Sequence, residues 1–278
     1  MKILVSENAG FCGGVKAAVL RLRRAIKNNP GRVIKVLGEL VHNQQVNQEF
    51  IDQGVRYIKD VSEAKAGDLI IIRAHGTSEN TYKYLEKNGI EYVDATCYKV
   101  QVTQHQIKEL EEAGYQVAIF GEEHHPETKG LHGHTNDGFV VNRALLLKIK
   151  PKKKVALICQ STANRADFVE VCSVLKGLTD ELKIIPTFCD FTLDVQEEAR
   201  GLRDKCDLML VVGGKNSSNT IRLFEICSED GGEAFHIQTS EQINPSWFRG
   251  KKTIGITAGA STPESVIEVV VSFVRDRV

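Results

Sequence analysis

The chain has 278 residues, of which 42% are hydrophobic, so it has the composition of a globular protein with two or three folded units. Its 36 basic residues balance 36 acidic ones and no stretch forms a basic arm, which argues against a nucleic-acid binder. No apolar run approaches the ~18 residues of a bilayer-spanning helix, and the first residues do not resemble a signal peptide. We therefore expect a soluble, cytoplasmic protein that binds neither nucleic acid nor membrane.

Short runs rich in Val and Ile alternate along the chain with stretches of helical periodicity, which predicts an α/β fold with parallel strands. In chain order, the predicted strands are residues 3–5, 33–37, 69–72, 115–120, 155–159, 208–212 and 253–257. Thr262, followed by Pro263 and Glu264, predicts a helix start with a capping hydroxyl.

Three cysteines in loops, Cys12, Cys97 and Cys189, mark an internal repeat. From each of them, 24 to 26 residues onward, a predicted strand ends in glycine, and a polar side chain follows four residues later: His42, His125 and Ser217. Farther on, a third strand in each repeat ends in a polar loop that contains His75, Ser161 or Ser261. The repeat predicts three similar domains: residues 13–96, residues 97–188, and residues 189–278 together with an N-terminal strand in 1–12. Because loops at the carboxyl ends of parallel strands build ligand sites, we expect three such edges to enclose a cavity.

The cysteines divide into two groups by their surroundings. Seven cysteines without CxxC pairs do not suggest disulfides, and Cys172, Cys206 and Cys227 lie in apolar patterns typical of buried thiols. The three loop cysteines can instead hold three irons of a four-iron cluster, whose fourth iron would be an open Lewis acid. A three-cysteine zinc site is the competing interpretation, although the short paired spacing of structural zinc sites is missing.

The loops after Gly38, Gly121 and Gly213 precede predicted helices, whose amino ends suit phosphate. Short hydrogen-bond donors and histidines gather in these loops and after the third strands: His42, His75, His125, Ser217, Ser218 and Asn219.

Glu127 is the acid in these loops with a clear partner, His125, and is a candidate proton donor. The alternative interpretation of Glu127 is a helix-start glutamate that complements the helix dipole. His132 and His134 have no counterparts in the other repeats and are interpreted as surface histidines rather than metal ligands.

Taken together, the motifs resemble the LytB/IspH family of 4-hydroxy-3-methylbut-2-enyl diphosphate reductases, enzymes of the methylerythritol phosphate pathway of isoprenoid biosynthesis. The motifs that carry the resemblance follow the family order over nearly the whole chain: Gly10-Phe-Cys12-Gly-Gly-Val, Val41-His42-Asn43, Ala74-His75-Gly76, Asp94-Ala-Thr-Cys97, His125-Pro-Glu127, Val212-Gly-Gly-Lys-Asn-Ser217-Ser218-Asn219 and Thr257-Ala-Gly-Ala-Ser261. Each motif is weak alone, but the ordered set is specific.

The resemblance implies a pseudo-threefold cloverleaf of three α/β domains around a central [4Fe-4S] cluster with an open iron. It assigns the cluster to Cys12, Cys97 and Cys189, and the diphosphate to His42, His75, His125, Ser217, Ser218, Asn219 and Ser261. Glu127 would deliver a proton, assisted by His125 and by Ser161 or Thr162. The implied reaction removes an allylic hydroxyl and gives isopentenyl and dimethylallyl diphosphates, with electrons from ferredoxin or flavodoxin.

The sequence departs from the family near two of the cysteines. Tyr98 stands where the family has proline, Phe191 stands for alanine, and Val195 precedes Gln196 where the family has arginine. The rings of Tyr98 and Phe191 and the carboxylate of Asp190 predict a cluster that is harder to reduce. A divergent paralogue that reduces another substrate is therefore an alternative, and so is an electron carrier or redox sensor, although a carrier needs neither a diphosphate site nor Glu127.

Overall fold

The structure is a computed structural model that describes residues 1–146 and 149–276. The strands are β1 (Lys2–Val5), β2 (Ile34–Leu37), β3 (Arg56–Ile58), β4 (Leu69–Ile72), β5 (Glu91–Asp94), β6 (Gln116–Phe120), β7 (Phe139–Val141), β8 (Lys154–Cys159), β9 (Glu181–Ile184), β10 (Leu208–Val212), β11 (Ala234–Ile237) and β12 (Thr253–Ala258). The helices are α1 (Gly13–Asn28), α2 (Gln44–Asp52), α3 (Glu79–Lys87), α4 (Tyr98–Glu112), α5 (Pro126–His132), α6 (Arg165–Leu178), α7 (Asp190–Arg203), α8 (Ser218–Ser228) and α9 (Glu264–Asp276). Within the described ranges, no helix combines the length and apolar character needed to cross a membrane.

The strands form three parallel four-stranded sheets of the same topology. Their orders are β3-β2-β4-β5, β7-β6-β8-β9 and β11-β10-β12-β1, so the first strand of the chain is the fourth strand of the last sheet. In each sheet the two central strands are the first and third of their repeat. The predicted α/β class and its threefold repetition are confirmed.

The central strands are buried on both faces, which explains why they are continuous apolar runs. Every residue of β4 and β10 is buried. The helices that cover the sheets are amphipathic; α1, for example, buries a single stripe formed by Ala18, Val19, Leu22 and Ala25.

The contacts of the chain group it into two compact units. Unit 1 contains Met1–Lys16, Val41–Glu49 and the chain from Asp190 onward, and it includes the sheet β11-β10-β12-β1. Unit 2 contains Ala17–Leu40 and the chain from Phe50 to Cys189, with the other two sheets. The finer division at residues 13–96, 97–188 and 189–278 stays a prediction.

The register of the central strands aligns the three repeats residue by residue. The paired strand ends are Leu37 with Ile72, Phe120 with Cys159, and Val212 with Ala258. The residues three positions after the second members of these pairs are His75, Thr162 and Ser261, respectively. The counterpart of His75 and Ser261 is therefore Thr162, one residue later than the Ser161 that the sequence spacing suggested.

Candidate active site

The three loop cysteines hold equivalent positions in their repeats. The backbone N–H of each donates to the carbonyl at the end of the neighbouring third-strand loop: Cys97 to Ala74 at 2.9 Å, Cys189 to Ser161 at 3.0 Å, and Cys12 to Ala260 at 3.1 Å. Each acceptor directly precedes one of the aligned residues His75, Thr162 and Ser261. In every repeat, the backbone of one loop thus holds a cysteine and carries a predicted site residue.

Each of these cysteines also stands immediately before a helix: α1 after Cys12, α4 after Cys97 and α7 after Cys189. All three residues are half-buried, and the Val15 N–H donates to the Cys12 Sγ at 3.4 Å. The free N–H groups at the amino end of a helix can donate to a cysteine sulfur, and cysteine sulfur is the usual protein ligand of iron–sulfur clusters. The three cysteines therefore fit a role as ligands of an iron–sulfur cluster.

The other four cysteines do not fit that role. Burial raises the pKa of both Cys159 and Cys227 to about 12, and it raises the pKa of Cys172 and Cys206 as well. All four pack among apolar side chains of the unit cores, so they stay protonated thiols. None of the seven cysteines, all of which lie in the described ranges, forms a disulfide.

In unit 2, the Glu127 carboxyl is buried and clamped by Ser161. Glu127 is only 4% exposed, and burial raises its pKa above the usual range of a glutamic acid. The Ser161 N–H donates to Oε1 at 2.6 Å and the Ser161 hydroxyl donates to Oε2 at 2.7 Å, which opposes that rise. The result is an oriented acid that can hold a proton.

His125 caps helix α5 through its side chain. Its Nδ1 accepts the Glu127 N–H at 3.2 Å, so in the neutral ring Nε2 carries the hydrogen and is a donor. The rings of His125 and His75 lie 5.5 Å apart in an edge-to-face arrangement. The fold of unit 2 therefore brings together His75, His125, Glu127 and Ser161.

Gln160 fixes the neighbouring Thr162, a role that the sequence did not reveal. The buried Gln160 amide accepts from the Glu122 N–H and the Thr128 hydroxyl, and it donates from Nε2 to the Thr162 Oγ1 at 2.8 Å. Because that oxygen accepts, the Thr162 hydroxyl can donate its own hydrogen elsewhere. The only sequence signal for Gln160 was its place in the Gln-Ser-Thr loop after β8.

His134 corrects an expectation from the sequence. It is not an ordinary surface histidine, because its Nε2 lies 3.0 Å from the Thr77 carbonyl, which follows the His75 loop. Burial lowers its pKa, so the ring is neutral and donates to Thr77. His132 is exposed, as the sequence suggested.

In unit 1, three loops meet around the backbone of His42. The Ser261 hydroxyl donates to the His42 carbonyl at 3.1 Å. A Cβ atom on Gly214 would lie 2.4 Å from the same oxygen, so only glycine permits this approach. Ser217 caps helix α8 by accepting from the Thr220 N–H, and Ser218 begins that helix. Unit 1 thus brings together His42, Ser217, Ser218, Asn219 and Ser261.

Asn219 is 5% exposed, yet both polar atoms of its amide lack a hydrogen-bond partner within the part of the chain that the structure describes. A buried amide without partners is unfavourable by about 1–3 kcal/mol. Such a group is typical of a site that is completed by a ligand.

The residues near the cysteines that differ from the family pattern lie in different surroundings. Tyr98 is 76% exposed, so its ring gives Cys97 little shelter from water. Asp190 is exposed in the first turn of α7, whereas Phe191 and the fully buried Val195 pack into the core beneath that helix.

These features define an α/β protein of three like sheets, with half-buried cysteines before three helices and a clamped acid beside polar loops. The model of the LytB protein family matches residues 3–275, and the chain belongs to that family. The motifs had predicted this family, and the prediction is confirmed. The family consists of iron–sulfur enzymes.

Relatives and solved structures agree with the family over the full length. The chain is 37% identical to the 4-hydroxy-3-methylbut-2-enyl diphosphate reductase of Caldanaerobacter subterraneus subsp. tengcongensis, covering 99% of this chain and 97% of the relative. It is also 37% identical to the enzyme of that name from Aquifex aeolicus, covering 99% and 96%. A solved (E)-4-hydroxy-3-methyl-but-2-enyl diphosphate reductase, described as the terminal enzyme of the non-mevalonate pathway, matches with a TM-score of 0.72 at 36% identity over 99% of this chain and 100% of that chain.

A reductase structure from Plasmodium falciparum matches with a TM-score of 0.91 over 98% of this chain and 87% of that chain. At 24% identity this match supports the fold alone.

Proposed function

We propose that this chain removes the allylic hydroxyl of 4-hydroxy-3-methylbut-2-enyl diphosphate and yields isopentenyl and dimethylallyl diphosphates. The reaction takes up two electrons and two protons, breaks a C–O bond, forms a C–H bond and releases water. The relatives carry this activity in their names. The single observation that supports it most is the clamped, buried carboxyl of Glu127 beside the polar loops of unit 2.

Glu127 serves as the acid that protonates the departing hydroxyl. Hydroxide is a poor leaving group at neutral pH, whereas water leaves readily, so the step needs a proton at the oxygen. Burial keeps the carboxyl protonated to higher pH than an exposed glutamate, and the two bonds from Ser161 hold it in one orientation.

The diphosphate is bound by neutral and polar donors rather than by a lysine cluster. The Nε2–H of His125, the hydroxyl of Ser217 and the partnerless amide of Asn219 are donors of this kind. The Ser261 hydroxyl joins them when it turns from the His42 carbonyl to the ligand. His42, His75 and Ser218 complete the proposed set, and the amino end of α8 adds a positive potential. Binding energy from this end of the substrate holds the hydroxyl end in place for the reaction.

Cys12, Cys97 and Cys189 would hold a [4Fe-4S] cluster with one open iron, and that cluster supplies, when bound, one-electron transfer and a Lewis acid. The two electrons come from a one-electron carrier, ferredoxin or flavodoxin. The cytoplasm, where thiols stay reduced, is the compartment that suits seven cysteines without a disulfide.

The test is an anaerobic assay of the reconstituted protein with the allylic diphosphate and dithionite-reduced methyl viologen. Both isopentenyl and dimethylallyl diphosphates are the expected products. Glu127→Gln keeps the shape but removes the acid, so turnover should fall by about 10²–10⁴ while the substrate still binds.

Glu123→Gln is the matched control, because Glu123 is exposed four residues upstream, and this variant should keep wild-type turnover. Failure of the cluster-loaded wild type to form either product would refute the proposal and favour a divergent paralogue with another substrate. Near-normal turnover in Glu127→Gln would return that residue to a structural role at the start of α5.

A further inference from the structure

Helix α1 carries a concentration of positive charge that the balanced composition hides. Its 16 residues include five basic residues and no acidic one: Lys16, Arg21, Arg23, Arg24 and Lys27. The whole chain has a formal net charge of +0, so this helix departs strongly from the average. Lys16, Arg21, Arg24 and Lys27 form no ion pair with any residue that the structure describes, and all four are exposed.

The charge of α1 is not a general property of the helices that follow the loop cysteines. Helix α4 has two lysines against three glutamates, and α7 has two arginines against four acids. Because the three helices are equivalent by topology, a role in the fold would not require one of them to be basic. The asymmetry indicates that one of the three positions has an additional task.

The basic side of α1 reaches the segment that carries Cys97. The Arg21 guanidinium donates to the Thr96 carbonyl at 3.4 Å, directly before Cys97. Tyr98, on the other side of that cysteine, is 76% exposed although it is a large aromatic residue. Arg24 lies three residues after Arg21, on the next turn, and Lys27 lies three residues after Arg24. We group these three exposed residues with the exposed Tyr98, two residues after the Thr96 that Arg21 contacts, and call the group the α1 surface. Arginine and tyrosine are among the residues that are enriched where proteins bind each other.

We propose that the α1 surface is the docking site of an acidic one-electron carrier protein. This inference rests on the proposed function, which requires electrons to arrive one at a time from outside the chain. Opposite charges accelerate the encounter of two proteins and orient them, and the α1 surface would hold the carrier beside the segment of a cluster cysteine. Nucleic acid is the other acidic macromolecule, but a single helix in a chain without basic surplus offers it only a short site.

The experiment compares the holoenzyme with the double variant Arg24→Glu and Lys27→Glu, which leaves Arg21 and the cysteines untouched. The matched control is Lys87→Glu with Lys176→Glu, which makes the same charge change in the last turns of α3 and α6. Two measurements are made at low and at high salt. One is calorimetric titration with an oxidised acidic [2Fe-2S] ferredoxin, and the other is turnover with either the reduced ferredoxin or reduced methyl viologen.

The α1 variant should bind the ferredoxin about tenfold or more weakly at low salt and lose most of the salt dependence, because the attraction between exposed charges is screened. Its turnover with methyl viologen should stay at the wild-type value, and the control should match the wild type throughout. If the double reversal does not fold, Arg24→Gln with Lys27→Gln should give a smaller change of the same sign.

Unchanged ferredoxin affinity in the α1 variant, or an equal loss in the control, would overturn the docking site. So would a wild-type protein that binds a DNA duplex more tightly than the ferredoxin through the same two residues. Absence of viologen-driven turnover in the wild type would refute the proposed function instead, and the titration would still decide the docking site.

Discussion

Replacement of Ser161 by alanine tests the acid role of Glu127 without touching the acid. The variant keeps the Ser161 backbone N–H, which donates to Oε1, and removes the hydroxyl, which donates to Oε2 at 2.7 Å. That hydroxyl stabilises the ionised carboxylate, so its loss favours the protonated form. The pKa of Glu127, already raised by burial, should therefore rise further.

The size of the effect follows from the bond that is lost. A hydrogen bond to a charged group contributes about 1.5–3 kcal/mol, and about 1.4 kcal/mol corresponds to one pH unit. A step that needs protonated Glu127 slows as the pH rises through the pKa of this group. The alkaline limb of the pH profile should therefore move upward by about one to two pH units in Ser161→Ala.

The assay is the pH dependence of kcat/KM for the allylic diphosphate under anaerobic conditions with a chemical reductant. Ser173→Ala makes the same change on the exposed side of α6 and should leave the profile unchanged. An alkaline limb that stays in place in Ser161→Ala, in a protein with wild-type iron content, would show that Glu127 is not the acid that the profile reports.

Two further predictions concern residues that hold the site in place. Gly214→Ala puts a Cβ atom 2.4 Å from the His42 carbonyl oxygen, so the loops that carry Gly214 and His42 must separate. KM should then rise about tenfold or more while the fold stays intact. The control is Gly201→Ala, where a Cβ atom meets nothing within 4 Å, and it should leave KM unchanged. If KM is also normal in Gly214→Ala, the loop around His42 does not bind substrate. Thr187 lies two residues before Cys189, and its hydroxyl accepts from the Cys159 N–H at 2.9 Å. Thr187→Val removes this hydroxyl, whereas Thr187→Ser keeps it. A chelator should therefore extract iron faster from the Thr187→Val protein than from the Thr187→Ser protein. Equal extraction rates in the two Thr187 variants would show that this bond does not hold the Cys189 loop.

The sequence predicted the central strands and the repeat because buried parallel strands are continuous apolar runs that periodicity detects. It missed β3, β5, β7, β9 and β11, which have three or four residues and lie at sheet edges, where most of their residues are only partly buried. Such strands are defined by their partners across the sheet, and that pairing is not visible in a single sequence.

The candidate site shows the same limit at the level of single residues. The motifs named Thr162 as a helper, but only the pairing of Phe120 with Cys159 revealed that it is the counterpart of His75 and Ser261. The sequence also predicted a capping hydroxyl at Thr262, whereas that hydroxyl donates to the Val212 carbonyl at 3.0 Å and ties the loop to β10. Hydrogen bonds between distant segments decide such roles, and spacing along the chain does not contain them.

The proposed iron–sulfur cluster is held by three of the seven cysteines. The iron and sulfide content of anaerobically reconstituted Cys→Ser variants, measured together with their visible absorption, decides whether this is so. We expect the stable cluster to be lost in each of Cys12→Ser, Cys97→Ser and Cys189→Ser. Each of these half-buried cysteines is the only one in its repeat that stands directly before a helix and donates its N–H to a loop that carries a proposed site residue. Cys172→Ser and Cys206→Ser, which change thiols packed in the cores, should keep the wild-type content. A full cluster in Cys97→Ser, or loss of the cluster in a folded Cys206→Ser protein, would show that these three cysteines are not its ligands.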